Sequence, residues 1–207
     1  MVGADAEVDD REARVRRHIV TVAAVTFERL GLRRATMDEI AEAAGVARKT
    51  LYNYFENKPK LVGEVIEHES ARVAAAAHDA LDFSAPPEEL IVDAAMLQLE
   101  LAHESKYVEM LLRRDALPIT ARVIEQSERV ARVQHQFWSP ILEPLRDAGR
   151  LRVNDLDEVV EWLTFNHLVL LTRPATFGSD TVRTRHMLRT YLVPALLEPS
   201  TVTQRQP

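Results

Sequence analysis

Residues 35–62 read ATMDEIAEAAGVARKTLYNYFENKPKLV. Thr36 and Glu39 stand three apart, the spacing of a capping box in which a hydroxyl and a carboxylate satisfy each other's backbone N–H groups. A short helix is therefore predicted to begin here, with Met37, Ile40, Ala41 and Ala44 facing inward and Gly45 ending it. A second short helix is predicted from about Ala47 to Phe55. Ile40, Ala44, Val46 and Leu51 can pack the two at a steep angle across a tight turn, which is the helix-turn-helix pattern. The second helix opens with Arg48, Lys49 and Thr50, donors that can reach base edges or phosphates from a helix N-terminus. Tyr52 and Tyr54 add hydroxyls and flat faces, whereas Phe55 reads as core. Asn57 can cap the next helix, with Lys58 and Pro59 in its first turn, where proline is tolerated.

Upstream, Val15, Ile19, Val22, Ala23, Phe27 and Leu30 keep the rhythm of one buried helical face, and Gly31 stands where a C-terminal cap belongs. The charge supports a separate module. The 207-residue chain has a net charge of −6. Residues 11–63, however, carry 11 Lys+Arg against 6 Asp+Glu, while residues 64–207 carry 15 against 22. One basic segment joined to an acidic remainder suggests a nucleic-acid module beside a module with another task.

Beyond Lys58 the apolar spacing stays helical, with one helix to about Leu81 and others near residues 87–103, 105–114, 117–147, 155–173 and 179–197. Pro118, Pro140 and Pro144 interrupt 117–147, which reads either as one kinked helix or as two. No strand is predicted, so the fold class is all-α. A DNA-binding domain over 11–63, a second helical domain over 64–198 and a flexible tail over 199–207 are expected.

The run from Ala35 to Val62, with Thr36, Ile40, Ala41, Ala44, Gly45, Val46, Thr50, Leu51, Tyr52, Tyr54, Phe55, Lys58 and Leu61 in pattern, resembles the DNA-binding core of the TetR family of bacterial regulators. Phe27 and Gly31 extend the likeness over about residues 13–65. The resemblance implies a homodimer on a pseudo-palindromic double-stranded operator, most often as a repressor, and a cytoplasmic location fits the absence of cysteine. It implies that Lys49, Thr50 and Tyr54 read bases or lie near them, and that Thr36, Arg48, Tyr52 and Lys58 hold phosphates. One departure is Ala47, where the family often has Ser or Thr. A side-chain N-cap is lost there, at roughly 0.5–2 kcal/mol.

For the second domain the resemblance implies a ligand cavity among the central helices and a four-helix dimer interface made by the last two long ones. Met96, Leu99, His103, Tyr107, Leu111, Gln134, Phe137, Trp138 and Phe165 are the candidate lining, since a few polar groups on apolar walls are what small-molecule sites use. An apolar effector is expected to release the operator. Taken singly, Met96, Phe137 and Phe165 also read as plain core. The helix near 155–173 is apolar on two sides, with Leu156, Val159, Val160, Leu163, His167 and Leu171 on one and Trp162, Phe165 and Val169 on the other. It therefore needs two partners. His186 and Val193 are expected to face outward on the last helix.

Other function classes fare worse. The chain contains no cysteine, which removes disulfides, thiolate zinc and a cysteine nucleophile. His68-Glu69 lacks the second histidine of a zinc-protease motif, and there is neither a phosphate-binding glycine loop nor a Gly-x-Ser-x-Gly elbow. No enzyme activity, metal or cofactor is expected. No apolar run reaches the length of a membrane span, and the N-terminus has no apolar h-region, so no membrane partner is expected. A purely structural helical protein would leave the basic segment unexplained.

Overall fold

The computed structural model describes residues 2–125, 127–172 and 180–199, with side chains omitted at 2–9 and 125. Residues 200–207 of the expected tail lie outside the described residues, as do 173 and 179, where two of the expected helices end and begin. The elements, in order, are α1 (Val2–Leu30), α2 (Met37–Ala43), α3 (Arg48–Tyr54), α4 (Lys58–Ala80), α5 (Pro87–Glu104), α6 (Lys106–Leu112), α7 (Leu117–Glu125), α8 (Glu128–Asp147), α9 (Leu156–Thr172) and α10 (Thr181–Met187). A π-helical stretch, Leu188–Leu192, then leads into α11 (Val193–Leu196). The only strand-like pairing among the described residues is an isolated antiparallel bridge, Leu151 to Leu197.

Local chemistry sets these boundaries. At α2 both arms of the capping box form: Glu39 N donates to the Thr36 hydroxyl at 3.2 Å and Thr36 N to Glu39 Oε2 at 2.8 Å. The helix ends in a Schellman arrangement, with Val46 N–H on the Ala41 carbonyl at 3.0 Å and Gly45 N–H on that of Glu42 at 3.1 Å. Gly45 has φ 65° and Gly31 φ 85°, left-handed values that a Cβ would strain. Asn57 caps α4 through Lys60 N, at 3.0 Å.

Two expectations are revised. The first helix reaches back to Val2, well before the apolar rhythm begins. Residues 117–147 form two helices, yet the break lies between Glu125 and Glu128, not at a proline. Pro118 sits in the first turn of α7, where its missing N–H costs nothing. Pro140 and Pro144 stand four apart on the exposed side of α8, where freed carbonyls meet solvent. Pro194 has a different effect. Just before it, the Val193 N–H reaches back five residues to Leu188 O, a π turn that eases a ring which would otherwise crowd the preceding turn.

The helices gather into two compact units that do not follow the expected 63/64 boundary. One comprises the described residues up to Arg72 with His103–Val130; the other comprises Val73–Ala102 with the described residues from Ala131 on. The division falls inside α4, α5 and α8. Ile19, Phe27, Ile40, Leu51, Phe55 and Leu61 centre the first core, which also takes Met110, Leu111 and Val130. The second core holds Ile91, Met96, Phe137, Trp138, Ile141, Leu142, Leu163 and Leu192. No helix among the described residues is long and apolar enough to cross a membrane.

Candidate nucleic-acid interface

Two side chains anchor α3. Leu51 is 0% exposed and Phe55 1%, one helical turn apart on the inner face. Each such burial stabilises by about 1.5–3 kcal/mol, so the helix is held through that face and its opposite face is free. The free face carries Arg48, Lys49, Tyr52 and Asn53, all exposed, with Thr50 and Tyr54 partly covered at its edges. Arg48 and Tyr52 are four residues apart, and the guanidinium lies 5.6 Å from the ring centroid. Arg48 also meets Asp38 of α2 at 3.0 Å. That pair is mostly exposed and so worth little, which leaves the guanidinium available to a phosphate. Ala47 provides no side-chain cap, as its chemistry requires.

The frame behind α3 is electrostatic as well as apolar. The Arg16 guanidinium of α1 lies 5.0 Å from the Phe55 centroid and donates through Nε to Glu64 of α4 at 2.8 Å. Glu64 also faces Arg129 at 3.3 Å, and Arg129 reaches Glu67 at 3.2 Å. The bond to Glu64 raises the Arg16 pKa against the opposing effect of burial. Further along α4, buried Glu69 accepts from Arg72 and from Ser105, the N-cap residue of α6. Burial pushes the Glu69 carboxyl upward, but those hydrogen bonds outweigh it and hold the pKa below the ordinary range.

Two expected phosphate contacts have other work in the structure. The Thr36 hydroxyl is engaged in the capping box and donates to Glu39 Oε2 at 2.8 Å. Lys58 Nζ donates to the carbonyls of Ala35 at 2.6 Å and Arg33 at 3.2 Å, and lies 6.0 Å from the Phe27 centroid. It thereby clamps the loop between α1 and α2, and burial pulls its pKa below the ordinary lysine value. An ammonium has three N–H groups, so one remains. Asn53 was missed by the sequence reading. Its signal is its spacing, four residues after Lys49 on the same face.

The candidate ligand residues divide between the units. Met96, Phe137 and Trp138 share the second core, where the last two rings meet edge to face at 5.2 Å. Leu99 and Gln134 are buried. Leu111 belongs to the first core, Tyr107 packs against it, and His103 is exposed. Phe165 departs most from expectation. It is 63% exposed and lines an open groove of about 410 Å³ with Trp162, Val153 and Ala195, away from the core. The second apolar side of α9 is thus an outer face, because its first side (Leu156, Val159, Val160, Leu163) already fills the core of the unit. Val193 is buried, not outward, while His186 is exposed. Among the described residues no group of three or more metal-ligating side chains forms.

The chain is similar to known proteins in sequence and in fold. Residues 19–65 match the family model of bacterial regulatory proteins, tetR family. The HTH-type transcriptional repressor KstR2 of Mycobacterium tuberculosis is 26% identical over 151 residues, 72% of this chain and 75% of that protein. A TetR-family transcriptional regulator from Pectobacterium atrosepticum superposes with a TM-score of 0.69 at 18% identity, covering 92% of this chain and 98% of its own. FadR of Bacillus subtilis, crystallised with stearoyl-CoA, gives a TM-score of 0.59 at 17% identity over 86% of this chain and 98% of its own.

Proposed function

We propose that the chain, whose residues 19–65 match the family model of bacterial regulatory proteins, tetR family, is a cytoplasmic homodimeric repressor, not an enzyme, that leaves its operator when a largely apolar small molecule binds. The observation that carries the DNA reading is the free face of α3, which presents Lys49, Tyr52 and Asn53 outward over the buried pair Leu51 and Phe55. Lys49, Thr50, Asn53 and Tyr54 are assigned to base edges. Arg48 and Tyr52 are assigned to phosphates, with the remaining N–H of Lys58 and the backbone at Thr36 beside them.

The exposed apolar side chains of the second unit support a twofold partner. Trp162 and Phe165 on α9, Val182 on α10 and Tyr191 in the π stretch stand 40%, 63%, 79% and 68% exposed. Trp162 and Phe165 adjoin along one groove, and adjoining exposed apolar side chains mark association surfaces; twofold operators also pair with twofold proteins. For the sensing role, the support is the fold shared with FadR, whose structure holds stearoyl-CoA. A ligand switches such a protein only through differential affinity for two conformations, and a coupling of about 1–3 kcal/mol changes operator affinity about 5–150-fold. α4 is the assigned lever, since it begins at Lys58 and the boundary between the units falls within it.

Selection from random duplexes at low salt tests the reading. An enriched inverted repeat, with half-sites roughly 34–36 Å apart or a related helical spacing, is the expected result. A population with no enriched motif would sink it.

A further inference from the structure

The loop between α1 and α2 is pinned on both sides of its two arginines. Leu32 and Ala35 are each 1% exposed, and the Ala35 N–H meets the Gly31 carbonyl at 3.1 Å. Arg33 and Arg34, between them, are both exposed. Their side chains differ in what they hold. Arg34 Nε donates to the Leu30 carbonyl at 3.1 Å, so that guanidinium is laid back on the end of α1. Arg33 offers its carbonyl to Lys58 Nζ at 3.2 Å, but its guanidinium has no hydrogen bond or ion pair among the described residues. Arg14, Arg16, Arg48 and Arg72, by contrast, each meet a carboxylate.

Arg33 and Lys58 border one open groove of about 190 Å³, which Leu32, Pro59 and Val62 also line. All of these residues belong to the first unit. Glu39, whose charge Lys58 feels, is already taken up by the N–H and the hydroxyl of Thr36. Two like charges bordering one groove repel each other, a cost that an anion lying along it reverses. A guanidinium also carries its N–H donors in a planar fork that matches the oxygens of a phosphate. The place fits that anion. Arg48 of α3 meets Asp38 at the start of α2, and Lys58 holds the Ala35 carbonyl just before that helix. The assigned phosphate contacts thus run from α3 past the beginning of α2 to the loop, and Arg33 stands at the end of that line.

We propose that Arg33 holds the backbone phosphate next to the one assigned to Lys58, extending the DNA contact from α3 onto the loop between α1 and α2. The ligand is a phosphodiester of duplex DNA, and the contact is indifferent to base sequence. This rests on the DNA-binding reading above and deepens it. Lys58 thereby gains a second role, because through the Arg33 carbonyl it fixes the backbone from which the guanidinium extends.

The test uses the full chain with the duplex enriched by selection and an unrelated duplex, titrated over a salt series by fluorescence anisotropy. Arg33→Met is expected to weaken both duplexes by a similar factor, roughly five- to thirtyfold at low salt for the two symmetry-related contacts together. The slope of log K against log salt should fall by about 1.8. Arg34→Met removes the same charge one residue away and is expected to keep the wild-type slope. Because the Arg33 guanidinium bonds to nothing within the fold, Arg33→Met is expected to melt at the wild-type temperature. Replacing one backbone phosphate at a time by a neutral methylphosphonate then locates the contact. Wild-type and Arg34→Met protein should lose affinity at one symmetry-related pair of phosphates to which Arg33→Met is indifferent, and this comparison reads the contact whatever the substitution does to Tm. An unchanged salt slope in Arg33→Met, an equal drop in Arg34→Met, or no phosphate to which Arg33→Met is indifferent would overturn the proposal and leave the DNA reading standing. If selection enriches nothing and the wild type binds no duplex at low salt, the DNA reading fails and this assignment with it.

Discussion

Lys58→Met removes one ammonium and keeps the aliphatic stem, so it isolates what the charged end does. In the structure that end holds two carbonyls of the loop between α1 and α2, at 2.6 and 3.2 Å. Hydrogen bonds from a charged donor contribute about 1.5–3 kcal/mol each when well shielded. Lys58 is only partly buried and the Arg33 contact is exposed. The two together are therefore discounted to roughly 1–2 kcal/mol, with the distant Phe27 ring adding little. For a chain of this size that corresponds to a Tm lowered by roughly 2–8 °C. The third N–H is assigned to a phosphate. Losing one such contact from each protomer should reduce the slope of log K against log salt by about 1.8. Thermal melts and operator titrations over a salt series measure both effects. Unchanged stability would refute the clamp, and a full salt slope would refute the phosphate contact.

Ala47→Ser supplies the missing cap of α3 and should stabilise the protein by about 1 kcal/mol in urea titrations. The pH dependence of Glu69 follows from its depressed pKa. Its contribution is fully present above the ordinary carboxylate value of 4.5 and is lost as pH falls through the lower folded value. Glu69→Gln is therefore expected to lower stability by about 1–2 kcal/mol at neutral pH yet to lose less on acidification than the wild type. Equal acid slopes would exclude the linkage. Phe165→Glu alters an exposed side chain, so the protomer should still fold. Sedimentation is expected to show monomer where the wild type is dimeric, and a variant as dimeric as the wild type would move the interface elsewhere.

The parts of this molecule legible in its sequence are those set by neighbours within a turn or two. Thr36 with Glu39, Gly45 after Ala44, and Asn57 before Lys58 each fix a helix end by short-range hydrogen bonds, and each forms as expected. The apolar positions of α3 likewise sort its faces without help from elsewhere. Proline was less informative, since its effect depends on where it falls. The exposed Pro140 and Pro144 are absorbed within α8, whereas Pro194 is accompanied by a π turn. Contacts between distant residues were not legible at all. Arg16 and Glu64 are 48 positions apart, and nothing local marks them as partners. Phe165 shows the remaining ambiguity, because an aromatic residue on a doubly apolar helix suits a cavity wall and an outer face equally well. Only its exposure separates the two.

If the outward side chains of α3 read a twofold operator, Lys49 is the residue whose loss must show it. Wild-type protein and Lys49→Ala are titrated against the selected duplex and against the same duplex substituted one base pair at a time. Lys49→Ala is expected to flatten the preference at one symmetry-related pair of positions, where the wild type discriminates by about 1–3 kcal/mol, and to leave the other positions intact. A uniform loss of affinity across every substituted duplex, with each preference preserved, would contradict it.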